Sequence, residues 1–267
     1  MIRLKSKEAI DLMRRPGAVV AAVFEAVEPL MKEGTSTYAI DQAAHRVIVE
    51  SGAIPSFLGY DGQGPTPFPG STCISIDDEV VHGFPDRKRI LKNGMIVSVD
   101  VGAYLDGYHG DAARTYMVGQ VPDRVRELVR VTEESFWKGF EQAWPGNRLG
   151  DISAAVQAHC EAHGFGVIRE LTGHGIGTDL HEAPNVPNYG KKGRGIRLVA
   201  GMVLALEPMV TLGSREIALA DNDWTFVTQD GQVAAHYENT LAITEDGPII
   251  LTRLDGPEGD RIQGLER

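Results

Sequence analysis

Cysteine is scarce in this chain: Cys73 and Cys160 are the only two among 267 residues. Two thiols cannot build a disulfide framework or a thiolate zinc site, and their scarcity fits a reducing cytoplasm. A basic excess is missing too. The 37 acidic residues outnumber 26 lysines and arginines, giving a formal net charge of −11. That argues against specific nucleic-acid recognition, which needs a basic face. The longest apolar run, Ala18 to Phe24, is far too short to span a bilayer. The opening MIRLKSKEAIDLM lacks the apolar stretch of a signal peptide. No Pro/Ser linker divides the chain, and its one Gly/Pro-dense loop, GQGPTPFPG at 62–70, falls inside an otherwise continuous unit. With 42% hydrophobic and 24% charged residues, the composition is that of a soluble globular protein able to bury a sizeable core. The expectation is one domain over 1–267, cytoplasmic and without a membrane partner.

The pattern is α/β. Residues 7–15 predict a short helix that Pro16-Gly17 breaks, and a second follows from Ala18 to Met31 with Val20, Val23, Phe24, Val27 and Leu30 in helical rhythm. Thr35-Ser36-Thr37 offers an N-cap for a helix to about Ser51, stopped by Gly52. The plan then returns: Val121-Pro122-Asp123 opens a helix over 124–143, and Asp151 caps another that Gly164 ends. An offset of 112 positions brings Gly34 onto Gly146, Ile40 onto Ile152, Ala43 onto Ala155 and Gly52 onto Gly164. Two related halves, about 1–119 and 120–267, are the expectation.

Between the halves lies a hairpin, residues 95–118, with Asp106-Gly107 as its tight-turn pair. A turn centred on Leu105-Asp106 sets Asp100 directly across from Asp111; one centred on Asp106-Gly107 makes them diagonal neighbours. Either register puts both carboxylates on one face. Like charges so placed are destabilising, more so when buried. A raised pKa, a basic partner such as Arg114, or a cation between them would relieve the repulsion. The second half adds Glu207 after Val203-Leu204-Ala205-Leu206 and Glu238 before Leu241 and Ile243, acids at the edges of strand-like runs where they are uncommon.

His174, flanked by glycines in Gly173-His174-Gly175-Ile176-Gly177, completes a group of four carboxylates and one imidazole. Oxygen-rich ligands with one nitrogen suit two divalent ions (Mn, Fe, Co or Zn) better than a structural zinc. One cation would leave excess negative charge; two nearly balance it. Such a pair lies about 3.5–4 Å apart and lowers the pKa of a shared water from near 16 towards about 7, making a hydroxide for hydrolysis. A rival grouping of His109, Asp111 and His174 matches an iron facial triad, but leaves Asp100, Glu207 and Glu238 unexplained.

Five ordered motifs carry a resemblance. Val81-His82-Gly83-Phe84-Pro85, VDVGAYLDGYHGD at 99–111, GHGIG at 173–177, LALEPM at 204–209 and HYENT at 236–240 resemble type I methionine aminopeptidase of the bacterial kind, from about residue 6 to residue 252. The resemblance implies the pita-bread α/β fold, two pseudo-symmetric halves with a central antiparallel sheet around a dinuclear metal site. It implies Asp100, Asp111, His174, Glu207 and Glu238 as metal ligands, with Asp111 and Glu238 bridging. It further implies removal of N-terminal methionine from peptides and nascent chains before a small second residue, by a bridging hydroxide attacking the carbonyl. Glu207 would be the general base, His181 of the HEAP segment would steady the oxyanion, and His82 would bond the scissile amide. Tyr60, Cys73 and Trp224 would line the methionine pocket, with His82 at its edge.

Departures from the family lie at Phe57 and Leu180 in the pocket, at the Pro-rich insertion 64–70 beside it, and at Asn239, where many members have His. The expected bearing of Asn239 is on metal affinity. The chain shows neither the zinc-binding extension of eukaryotic type I enzymes nor the helical insertion of type II. Lys191, Lys192, Arg194 and Arg197 form a basic loop that would contact the ribosome, and the protein is expected to be a monomer. The alternatives are a proline-specific aminopeptidase or dipeptidase, which usually carries a large extra N-terminal domain, and a non-catalytic peptide-binding domain, which would lose metal ligands.

Overall fold

The computed structural model describes residues 2–253 except Gln63 and Pro65; Pro65 of the 64–70 stretch and residues 254–267 of the expected domain thus lie outside the described residues. Helix α1 (Lys7–Val27) is continuous, which corrects the expected break at Pro16-Gly17. Packing overrides the local signal. Pro16 and Gly17 are buried, and Gly17 lies directly against the Leu251 carbonyl, where a Cβ would collide. A Cβ on Gly110 would lie 2.9 Å from the Gly17 nitrogen, so the helix and the hairpin approach backbone to backbone there. Helix α2 (Thr37–Glu50) begins as expected, Ser36 Oγ accepting the Ala39 N–H at 3.2 Å.

Helix α3 (Asp123–Phe140) buries Val125, Leu128, Val131, Thr132 and Phe136, the i, i+3, i+7 stripe of an amphipathic helix. Helix α4 (Leu149–Ala162) starts earlier than Asp151, so Asp151 is not its N-cap. It occupies the third helical position, its carboxylate accepting the Arg148 N–H at 2.7 Å, a placement that also satisfies a first-turn donor. The glycines paired by the 112-residue offset share a conformation: φ is +86° at Gly34 and +97° at Gly146, +75° at Gly52 and +73° at Gly164. Ile40 and Ile152 are both fully buried.

Strand β1 (Thr72–Ile76) and the short strand Ile54–Pro55 share one edge of β2 (Ile96–Leu105), and β3 (Tyr108–Met117) covers the other. The β2–β3 turn is at Asp106-Gly107, both with positive φ (54° and 87°), as a two-residue hairpin requires. The register is therefore the diagonal one: Asp100 faces Ala113 and Gly102 faces Asp111. A five-stranded sheet follows, built from β4 (Gly173–Gly175), β5 (Glu182–Val186), β6 (Val203–Leu206), β8 (Asn239–Thr244) and β9 (Gly247–Ile250). Between β6 and β8 in sequence, β7 (Met209–Thr211) pairs antiparallel with the segment Ala234–His236. One apolar cluster gathers α1, α2, β2 and β3 around Val20, Ile40 and Val99. Another gathers α3, α4, β6 and β8 around Leu128, Ile152 and Leu204.

The two clusters meet along the outer edge of β3. In a hairpin, alternate residues direct their backbone groups away from the partner strand, and here these groups bind the second half. The His109 N–H donates to Gly177 O at 2.9 Å, and Ala113 and Glu238 exchange both backbone bonds, at 2.9 and 3.3 Å. Thr240 Oγ1 accepts from the Asp111 N–H at 3.0 Å and donates to Asp111 O at 2.9 Å. Thr115 Oγ1 bonds His236 in the same double manner, donating to its carbonyl at 2.8 Å and accepting from its N–H at 2.9 Å. Asp111 and Glu238 are thereby set on adjacent rungs of one seam.

Candidate active site

Glu207 and Glu238 do not lie within strands, which refines the expectation that strands carry them. Leu206 pairs with Asn239 and Met209 with His236, so Glu207-Pro208 faces Tyr237-Glu238 across a gap in the ladder. Both glutamates sit where the paired chains pass from one sheet to the next, opposite Asp100 and Asp111. His174, in β4, pairs with Ala205. Its Nδ1 lies 2.9 Å from Gly175 O; a carbonyl only accepts, so Nδ1 carries the proton and Nε2 keeps its lone pair. Nε2 stands 3.5 Å from Glu207 Oε1 and 4.0 Å from Asp111 Oδ2. The five expected ligands therefore converge.

The arrangement is electrostatically unfavourable without a counter-charge. Burial, followed by the charges of Glu238 and Asp100, pushes the Asp111 carboxyl well above its usual range. Burial with Asp100 and Asp111 does the same to Glu207, and burial with Glu207 and Asp100 to Glu238. Burial lifts Asp100 to about 7. Arg114 does not resolve the repulsion directly: it donates to the Ala113 and Glu238 carbonyls at 2.8 and 2.5 Å and to Asn239 Oδ1 at 2.7 Å. Asp100 Oδ1, Asp111 Oδ1 and Glu238 Oε1 are buried with no hydrogen-bond partner. Orphaned, converging carboxylate oxygens beside an imidazole lone pair are the donor set that hard or borderline divalent cations take. The residues fit a metal centre.

One member was not foreseen. His236 is 2% exposed, its Nε2 has no partner, and it lies 3.7 Å from Glu238 Oε2 and 4.0 Å from Glu207 Oε2. Within this site two groups offer mutually close ligand atoms: Asp111, His174 and Glu238, and Glu207, His236 and Glu238. Glu238 is common to both. The two-residue spacing of His236 and Glu238 in HYENT was the available signal. His109 instead turns its Nδ1 to Ser56 Oγ at 2.9 Å, so the facial-triad grouping does not form. Asn239 points behind the acids to Arg114 and Thr252.

A small cavity of about 50 Å³ opens above the acids. Tyr60, Cys73, Trp224 and His82 line it, as do Phe57 and Leu180. Cys73 is the register partner of Asp100, and Asp41 of α2 secures the start of its strand by accepting the Ser71 and Thr72 N–H groups at 2.8 and 3.0 Å. Thr66 and Phe68 of the 64–70 stretch supply part of the wall beside Trp224. Phe68 is 2% exposed and meets Trp224 edge-on at 5.4 Å, while Trp224 Nε1 donates to Thr66 O at 2.9 Å. His82 has φ of +62°, a strained angle for a residue with a Cβ, and its Nδ1 is buried without a partner. Burial lowers its pKa to about 4, so the ring is neutral. His181 stands at the mouth, its Nδ1 2.8 Å from Tyr60 Oη and its ring 4.3 Å from that of His174. Lys191, Lys192, Arg194 and Arg197 lie apart from this cavity on an exposed loop.

A model of metallopeptidase family M24 matches residues 11–245. A methionine aminopeptidase from Clostridium acetobutylicum is 50% identical over 252 residues, which cover 94% of this chain and 99% of that protein. A solved methionine aminopeptidase from Thermotoga maritima aligns with a TM-score of 0.91 at 43% identity, over 94% of this chain and 99% of that one. A solved prolidase from Pyrococcus furiosus aligns with a TM-score of 0.71 at 21% identity, over 95% of this chain but only 66% of that one; this last likeness is of fold alone. The shared architecture is the expected pita-bread α/β fold.

Proposed function

The chain belongs to metallopeptidase family M24 and, within it, to the methionine aminopeptidases, and from that premise we propose that it hydrolyses the bond after an N-terminal methionine, preferring a small second residue. The observation that carries this reading is the convergence of orphaned carboxylate oxygens at the floor of a cavity walled by Phe57, Phe68, Leu180 and Trp224.

Asp100 and Asp111 from the first half, with His174, Glu207 and Glu238 from the second, would hold two divalent cations; the donor set accepts Mn, Fe, Co or Zn. When bound, such a pair supplies Lewis acidity and ionised water. Glu207, at the floor of the cavity beside Asp100, Asp111 and His174, would take and return a proton as general base. His181 Nδ1 lies 2.8 Å from Tyr60 Oη; with Tyr60 as the donor, the neutral ring would carry its proton on Nε2 and offer it to the substrate carbonyl oxygen. The unpartnered nitrogen of His82 would bond the scissile amide. Tyr60, Phe68, Cys73 and Trp224 exclude water from the methionine side chain.

The test is free methionine released from Met-Ala-Ser by chelated protein and by protein reloaded with each metal. Metal-dependent release, with Leu-Ala-Ser left intact, is the expected result. No release with any metal sinks the assignment.

The finer partner reading concerns Lys191, Lys192 and Arg194. Their loop is pinned to the start of α4, where the Gly150 N–H donates to Arg194 O at 2.9 Å and the Gly193 N–H to Asp151 Oδ1 at 2.7 Å, so the backbone is fixed while the charges stay exposed. With Arg197 they would touch the ribosome near the nascent-chain exit, in a salt-sensitive way. Co-sedimentation of a charge-reversed loop with ribosomes tests this; unchanged binding discards it. Among the described residues no helix is long and apolar enough to cross a membrane. We read the protein as a cytoplasmic monomer, one catalytic unit of two related halves.

A further inference from the structure

The segment that precedes α1 is tied to the loop bearing His181 by a buried ion pair. Lys5 Nζ donates to Glu182 Oε2, and the two side chains are only 6% and 3% exposed. This pair is desolvated, unlike the surface bridge of Arg3 to Asp179, whose side chains are each 58% exposed. Around it the segment is well anchored. The Lys5 N–H donates to Gly201 O at 2.7 Å, Lys5 Nζ also reaches Arg3 O at 2.9 Å, and Arg3 Nη1 reaches Thr178 Oγ1 at 3.0 Å.

The ion pair sits directly on Gly177. A Cβ there would lie 2.6 Å from Glu182 Oε1 and 2.7 Å from Lys5 Nζ, which gives the last glycine of the Gly173–Gly177 run a physical reason. From the other side, Gly177 O accepts the His109 N–H. The loop 177–182 is thus clamped between the segment 3–5 and the edge of β3.

Glu182 immediately follows His181 and opens β5, its backbone paired with Gly175. His181 occupies the bend that leads into β5. Glu182 turns to Lys5, and His181 turns to the cavity, where its ring meets His174 and Tyr60. No comparable bond ties the His181 ring to its own loop; its orientation is set by Tyr60 Oη in front and by its neighbour's ion pair behind.

We propose that Lys5 and Glu182 are positioning residues for His181, their buried ion pair fixing the loop so that the imidazole meets the substrate carbonyl. The proposal rests on the role read for His181 above. A carboxylate buried with its lysine removed would itself disturb the fold, so the pair is best removed together: Lys5→Met/Glu182→Gln leaves no unpaired charge. With the metal-loaded protein and Met-Ala-Ser, this double variant is expected to lower kcat about tenfold or more, the scale of a small misplacement of a reacting group. KM and metals bound per chain should stay near wild type. In a His181→Ala background the same pair of changes should alter kcat by less than about twofold, as for residues acting through one group. Full kcat in the double variant overturns the proposal, as does an equal loss in both backgrounds. Wild-type kcat in His181→Ala alone instead removes the reading on which the proposal rests.

Discussion

Replacing Thr240 with valine is expected to loosen the joint between the halves without opening a cavity. Thr240 is 1% exposed and Asp111 is 3% exposed, and the single hydroxyl serves both the N–H and the carbonyl of Asp111. Valine fills the same volume but leaves those two buried groups unsatisfied. Each such group costs about 1–3 kcal/mol, so the variant should lose about 2–6 kcal/mol. At roughly 2–4 °C per kcal/mol for a chain of this size, Tm should fall by about 4–24 °C, read by circular dichroism on chelated protein. Thr240→Ser keeps the hydroxyl and loses one methyl, about 1 kcal/mol, and should fall much less. A displaced Asp111 should also weaken cation binding in the valine variant alone. A Tm within about 1 °C of wild type for Thr240→Val, or equal losses for both variants, would refute the reasoning.

Chelated protein should lose stability as pH rises from about 6.5 to about 7, with no further loss through Asp100 above that. Asp100, held up to about 7 by burial, contributes fully below the unfolded carboxyl value of about 4, and that contribution is lost as pH rises through 7. His82 and His174, held down by burial to about 4 and about 3, act oppositely: their contribution is present above about 6.5 and is lost as pH falls through the folded values. Metal-loaded protein should not show this loss; a chelated Tm that holds or rises between about pH 6.5 and 7 contradicts it. Neither thiol should alkylate with iodoacetamide at pH 8 in native protein. Burial, then Asp100, Asp111 and Glu238, pushes Cys73 well up, and burial takes Cys160 to about 11. Rapid native labelling seen by intact mass would contradict that burial.

Local chemistry was legible where the decisive contacts are close in sequence. Asp106-Gly107 accepts positive φ at both positions, which chose between two registers left open by the residues alone. Ser36 and Gly52 bounded α2 as their types demand. Signals failed where distant contacts decide. Pro16 did not end α1, because the hairpin and Leu251 pack against that turn. Asp151 looked like a cap but serves one turn inside, since Arg148 already has the extended backbone that a cap needs. The acids were recognisable as a shared charged group, yet their seats in the gap between sheets depend on the seam with β3. His236 and Phe68 escaped notice because each is defined by partners remote in the chain.

The central claim is that the buried acids hold a pair of cations through the carboxylate shared by both ligand groups. The most direct measurement is divalent metal bound per chain, counted after gel filtration of protein loaded with manganese, for wild type and Glu238→Gln. Two ions per wild-type chain, with loss of at least one in the variant, are predicted. A single ion in wild type, or two retained as tightly in Glu238→Gln, would contradict the account.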